Sequence, residues 1–184
     1  MGELLPFKRE PKCSYIFSVS IATGCYRHIR VDGRDTLEML SAYILEAFDF
    51  DNDHAHAFFM DNKAWSDMDC YFVDNGSDEC RNTCDYRLMD LKVITLVKMP
   101  SMGSFPMRMT NNWFPCGSKP LEVGHKFKYI FDFGDDWRFD CKVLKILEEE
   151  TEVAHIVRSK GQPPTQYGSD DPFDDYDEID DLDE

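Results

Sequence analysis

The sequence predicts an α+β fold, a single domain in which an antiparallel or mixed β-sheet carries one principal helix packed on it in a β-grasp-like manner. Three observations predict it. Residues 14–21 alternate Tyr15, Phe17, Val19 and Ile21 against mostly serine, the period of two that marks a half-buried strand. Residues 36–48 place Leu37, Leu40, Ile44, Leu45 and Phe48 on one face at helical spacing. Residues 127–147 form two alternating runs hinged on Gly134-Asp135-Asp136, with Trp137 opening the return.

Each element has a local reason. Residues 26–31 pair with the first strand through a Thr23-Gly24 turn, where glycine is free to take positive φ. Asp35 or Thr36 suits the helix N-cap, with Glu38 or Met39 in the first turn. After Phe48 a polar turn feeds the run His54-Ala-His56-Ala-Phe58-Phe-Met60, which re-enters the sheet as a strand. Residues 61–86 are polar apart from Tyr71-Phe-Val73. A short helical turn is expected near Tyr86–Leu91, then a strand over Lys92–Met99. The stretch Pro100–Pro120, with its prolines and glycines, reads as an irregular excursion around Trp113.

Order returns at Leu121. Phe127, Tyr129, Phe131 and Phe133 occupy alternate positions, so one face there is almost solid aromatic and belongs in the core. Gly134 is expected to supply positive φ at the turn. Trp137–Leu147 makes a long strand, and Val153–Arg158 a last one after the acidic connector 148–152.

Composition sets the outer limits. With 184 residues, 42% of them hydrophobic and 14% aromatic, one domain with a full core is affordable and no second is required. The formal charge is −16, and the segment 169–184 holds ten of the carboxylates and no basic residue, which leaves −6 on residues 1–168. Nucleic-acid binders neutralise phosphates with Lys and Arg, so direct nucleic-acid binding is disfavoured and the expected partner is a protein. No run approaches the ~20 apolar residues of a membrane span, and no leader pattern precedes the first strand. The expectation is a cytoplasmic protein without membrane contact, with most of its odd set of seven cysteines held as free thiols. Domain limits follow: 1–168 for the α+β domain, with an irregular insertion at 92–120, and 169–184 as a disordered acidic tail. That tail carries Phe173, Tyr176, Ile179 and Leu182, and reads either as a solubilising end or as a segment docking on a basic surface.

Several motifs together resemble the plasmid (Ri-type) open-reading-frame-three-like family, whose members are sometimes labelled transposon passenger proteins or TnpR. The resemblance rests on Tyr26-Arg27-His28-Ile29, Thr36-Leu37, His54-Ala-His56-Ala-Phe58 and above all Tyr129-Ile-Phe-Asp-Phe-Gly-Asp-Asp-Trp137, and spans most of residues 13–168. It implies an α+β domain of unsettled function. A serine resolvase would need a nucleophilic serine among several arginines, which this chain lacks, so the TnpR label carries no activity. The chain departs from the family pattern at Cys25-Tyr26-Arg27-His28, where relatives tend to place Trp before paired arginines. It departs again at 158–168, where many relatives carry cysteines, and at Lys92–Pro120, which looks inserted.

Two candidate sites emerge. The first joins His54 and His56, two apart and hence on one face of a strand, to Asp132, Asp135 and Asp136 across the sheet, with Trp137 and Arg27 completing the set. Imidazoles with carboxylates can hold a divalent metal or act as an acid and base pair. Against it stands a plain hairpin turn, with the aspartates satisfying turn amides and Trp137 packing over them. Asp132-Phe133-Gly134 also spells the metal-binding tripeptide of protein kinases, but no glycine-rich loop or catalytic-loop segment accompanies it. The second is Cys80 and Cys84, with Cys70 upstream and Cys116 or His125 downstream, a set of zinc-ligand types without paired knuckles. No cofactor is specified. The leading expectation is a non-enzymatic binding or adaptor module; the alternative is a metal-binding or hydrolytic enzyme using the His54/His56 and Asp132–Asp136 cluster.

Overall fold

The structure, a computed structural model, describes residues 11–73, 82–98 and 113–167. Cys80 and the acidic tail from 169 onward lie outside the described residues, as does the middle of the 92–120 segment. A seven-stranded sheet forms the body, and every named pairing in it is antiparallel. Strands β1 (Ser14–Ala22) and β2 (Cys25–Asp32) make the opening hairpin, closed by Thr23-Gly24 with Gly24 at φ 83°. Helix α1 (Leu37–Ala47) follows, then the short strands β3 (His56–Phe59) and β4 (Cys70–Phe72). Strands β5 (Lys92–Lys98) and β6 (Trp113–Pro120) form a separate two-stranded ribbon. The chain closes with β7 (Lys126–Phe131), β8 (Trp137–Leu147) and β9 (His155–Lys160).

The sheet order is β4-β3-β7-β8-β1-β2-β9, so β1, the first strand, sits beside β8 and not only beside its hairpin partner. Alternation decides which face is buried. Phe17 and Val19 from β1, Tyr129 and Phe131 from β7, and Phe139, Cys141 and Val143 from β8 meet the helix residues Leu37, Leu40, Ile44 and Leu45 in one continuous core. The helix starts where expected. Thr36 Oγ1 accepts from the Met39 N–H at 3.2 Å, and the carbonyls of Tyr86 and Cys84 accept from the Leu37 and Glu38 N–H groups at 3.1 and 3.0 Å.

Two expectations are corrected. Residues 113–120 are a strand, not part of an irregular excursion; Pro115 and Pro120 are tolerated because each strand of a two-stranded ribbon keeps one unpaired edge. The ribbon is tied to the body where the buried Asp69 carboxylate accepts from the Ile94 N–H at 2.8 Å. At the acidic turn, Asp132 and Asp136 take the left-handed conformation, at φ 52° and 54°, and Gly134 does not. Space there is tight: a Cβ on Gly134 would stand 3.2 Å from Asp132 Oδ1, so a larger residue would ask that carboxylate to shift by a few tenths of an ångström. No helix among the described residues is long and apolar enough to cross a membrane.

Candidate functional site

The turn between β7 and β8 uses its carboxylates internally. Asp132 Oδ1 accepts from the N–H groups of Gly134 and Asp135 at 2.9 and 3.4 Å, and the Asp132 carbonyl accepts from the Asp136 N–H at 2.7 Å. The Asp136 carboxylate accepts from Arg138 Nε at 2.8 Å and from the Trp65 indole N–H at 3.2 Å. The Arg138 hydrogen bond holds its pKa below the usual carboxylate range. Trp137 packs edge-on against Phe50, from the loop after α1, with ring centroids 5.0 Å apart.

His54 does reach this turn. Its Nε2 lies 3.8 Å from Asp132 Oδ2, while Nδ1 is 2.7 Å from Asp53 Oδ1, and the Asp53 hydrogen bond raises the imidazole pKa. The side chain is 43% exposed. Tyr167 donates to the other oxygen of Asp53, and Gln166 Nε2 donates to Asp53 Oδ1 at 3.2 Å, so the segment following β9 is strapped over the 51–54 loop.

His56 does not join it. The strand begins only at His56, so the two histidines do not share a face: His54 stays on the loop in solvent and His56 enters the core at 1% exposure. There its ring meets Phe58 and Tyr129 at 6.2 and 5.8 Å. Arg27 is also remote in role. It is buried, stacks over Phe48 at 5.0 Å, and donates to the carbonyls of Ala47, Tyr26, Lys160 and Gly161 at 2.9–3.2 Å. This is a structural clamp joining the helix C-terminus to the end of β9.

A different constellation forms beneath α1. His56 Nε2 stands 3.1 Å from Glu38 Oε2, outside hydrogen-bond alignment, so this buried nitrogen has no hydrogen-bond partner among the described residues. Burial lowers the His56 pKa, against the opposing pull of Glu38. Cys84, 2% exposed, completes the group, and one potential ligand atom from each of Glu38, His56 and Cys84 lies within 4.8 Å of the others. The backbone holds the group in place: Cys84 receives the Glu38 N–H on its carbonyl and donates its own N–H to Phe72 at 3.1 Å.

The two candidate sets read from the sequence are therefore divided and recombined. One member of each, His56 and Cys84, comes together, and Glu38 joins them. In the sequence Glu38 reads only as a first-turn residue of the helix. Cys13, Cys25 and Cys141 are thiols, and burial pushes the Cys141 thiol strongly upward, which makes it inert.

Residues 117–179 match the family model described as plasmid pRiA4b ORF-3-like protein, the family that the Tyr129–Trp137 run resembles. No curated protein matches the chain. Among solved structures, the crystal structure of a protein of unknown function from Methanosarcina mazei Go1 is similar at 19% identity, covering 82% of this chain and 70% of that one, with a TM-score of 0.49. Neither the family nor that structure brings an assigned activity.

Proposed function

We propose that this protein is a non-enzymatic binding module that takes an acidic, apolar-bearing segment of a partner protein along strand β9. The observation that carries the reading is β9 itself. It is the terminal strand of the seven-stranded sheet, with β2 on one side and, among the described residues, no strand on the other. All six of its residues are exposed, including the large apolar Ile156 and Val157. An open edge offers unpaired N–H and C=O groups, and adding a strand to such an edge is a recurrent mode of peptide capture. Arg158 and Lys160 on the same strand set the preference: they repel a second copy of the same edge and attract carboxylates. A groove lined by Ile29, Tyr43, Glu46, Ala47, Ala154 and His155 adjoins Ile156, and its apolar members offer a seat for a partner's apolar side chain beside the edge.

The hydrolytic alternative draws less support from the geometry, since Asp132 and Asp136 hold turn amides and Arg138 while His56 faces away from them. The β-grasp-like description and the cytoplasmic location belong to the same proposal; the single helix after an opening hairpin favours the first, and the buried thiols Cys25 and Cys141 favour the second.

The test uses the full chain with a fluorescein-labelled synthetic peptide copying residues 169–184 as the acidic probe, followed by anisotropy. Saturable binding that weakens with salt and drops at least about tenfold in an R158E/K160E variant, but not in K128E on a distant strand, supports the reading. Absence of saturable binding, or equal loss in both variants, overturns it.

A further inference from the structure

We propose that Glu38, His56 and Cys84 form a site for one thiophilic divalent cation, zinc being the fitting ion. Three separate segments converge here: the first turn of α1, the first residue of β3, and the 82–87 segment whose carbonyls cap that same helix. Thiolate, imidazole and carboxylate are the three side-chain ligand types that zinc uses. A tetrahedral ion with bonds of about 2.0–2.3 Å spaces its ligands about 3.3–3.8 Å apart. The observed spread of up to 4.8 Å is closed by small side-chain rotations, with Glu38 the member most able to move.

The second observation is the unpartnered nitrogen. Buried polar atoms in folded proteins are almost always hydrogen-bonded, and each exception asks for an explanation. His56 Nε2 is such an exception, aimed at a carboxylate and grouped with a thiol, and a cation would satisfy all three at once. Charge also balances. Binding releases the Cys84 Sγ proton to solvent as the sulfur–metal bond forms, so a dication meets one thiolate, one carboxylate and a neutral imidazole, and the buried assembly is formally neutral. Entry is from the Glu38 side, the one ligand with substantial exposure, 44% of its side chain. Three protein ligands leave a fourth coordination position for water on that side.

The site differs from both sets suggested by sequence spacing, since it uses neither the Asp132–Asp136 turn nor Cys80. It is also independent of the β9 edge, so either proposal can fail alone.

The experiment is titration of the chelator-treated full chain with Co2+, followed by zinc displacement. Expected are one equivalent bound, the visible bands of tetrahedral cobalt, a near-ultraviolet thiolate-to-cobalt band, and release of close to one proton in weakly buffered solution near neutral pH. C84S should lose the thiolate band. E38A alters a half-exposed side chain and so keeps the fold; it should weaken binding by at least about tenfold, the loss seen when even an outer-shell partner of a metal is removed. If C84S fails to fold, E38A decides. No thiolate band in the wild-type chain, a band that survives in C84S, or unchanged affinity in E38A overturns the proposal.

Discussion

Tyr129 and Ser41 stand hydroxyl to hydroxyl, 2.6 Å apart, inside a core where both are fully buried. One comes from the middle of β7 and the other from the core-facing side of α1, so this bond fixes how the helix is rotated on the sheet. It also explains why a serine is tolerated in the apolar stripe: its hydroxyl has a partner, and the partner's is satisfied in return. The low polarity around the phenol raises the Tyr129 pKa well above its ordinary value, so it remains a neutral hydroxyl.

Removing one hydroxyl should cost more than removing both. Tyr129→Phe leaves Ser41 Oγ buried without a partner, and a loss of about 1–3 kcal/mol is expected in urea unfolding. Ser41→Ala alone should cost a similar amount. The double variant should lose clearly less than the sum of the two, and simple additivity in that cycle would show that the pair is not coupled.

Asp32 should set part of the acid stability. Its buried carboxylate accepts from Arg34 Nε at 2.7 Å, the Arg34 N–H at 3.0 Å and the Thr151 N–H at 3.1 Å, and the Arg34 hydrogen bond leads in holding its pKa low. A carboxylate whose folded pKa is depressed adds stability above its unfolded pKa, and that stability disappears as the pH falls through the folded pKa. Asp32→Asn is therefore expected to be about 1–3 kcal/mol less stable at pH 7. The gap between wild type and variant should narrow below about pH 4, where the unfolded carboxyl titrates. A gap that stays constant from pH 7 to pH 3 would contradict this.

Two glycines with similar backbone angles should respond differently to alanine. Gly161 has φ 77°, and a Cβ there would lie 2.5 Å from the Gly24 carbonyl oxygen; Gly124 has φ 90° with open space around it. Gly124→Ala bears only the left-handed conformational cost, about 1–2 kcal/mol. Gly161→Ala adds a backbone collision and should be destabilised well beyond that in thermal unfolding. Equal shifts in the two melting temperatures would mean that the strap relaxes freely.

Arg27→Lys tests whether the clamp depends on geometry or on charge. Lysine keeps the cation but cannot span the carbonyls of Ala47, Lys160 and Gly161 with a planar fork. A loss of about 1–3 kcal/mol is expected, in line with hydrogen bonds made by charged groups, together with faster amide exchange at the end of β9. Wild-type protection in the lysine variant would show that charge alone suffices.

The parts legible in the sequence are those governed by neighbours in the chain. The β1–β2 hairpin, the Thr36 cap, the apolar stripe of α1 and the aromatic alternation of β7 are all local patterns, and each appears where its period places it. The strand character of β6 was hidden by Pro115 and Pro120, because an isolated ribbon edge relaxes a rule that holds for central strands. His54 and His56 follow the period-two rule only if the strand includes both, and the pairing of His56 with Phe131 shows where it begins. The grouping of Glu38 with His56 and Cys84 is tertiary: nothing in a polar stretch around residue 84 announces that its carbonyls will cap a helix nearly fifty residues earlier.

The placement of β1 between β2 and β8 has a consequence for synthesis on the ribosome. Ser14 pairs with Leu147 and Ser20 with Asp140, so one whole side of β1 stays unzipped until the last third of the chain has emerged. At about 5–20 residues per second that is a wait of several seconds or more. During it the hairpin and α1 expose Phe17, Val19, Leu40 and Ile44 with no β7 or β8 to cover them. Closure of such distant partners is slow as well as late. The nascent chain is thus a natural client for a chaperone that shields apolar surface, and its yield should be more sensitive to translation speed than its finished stability would suggest.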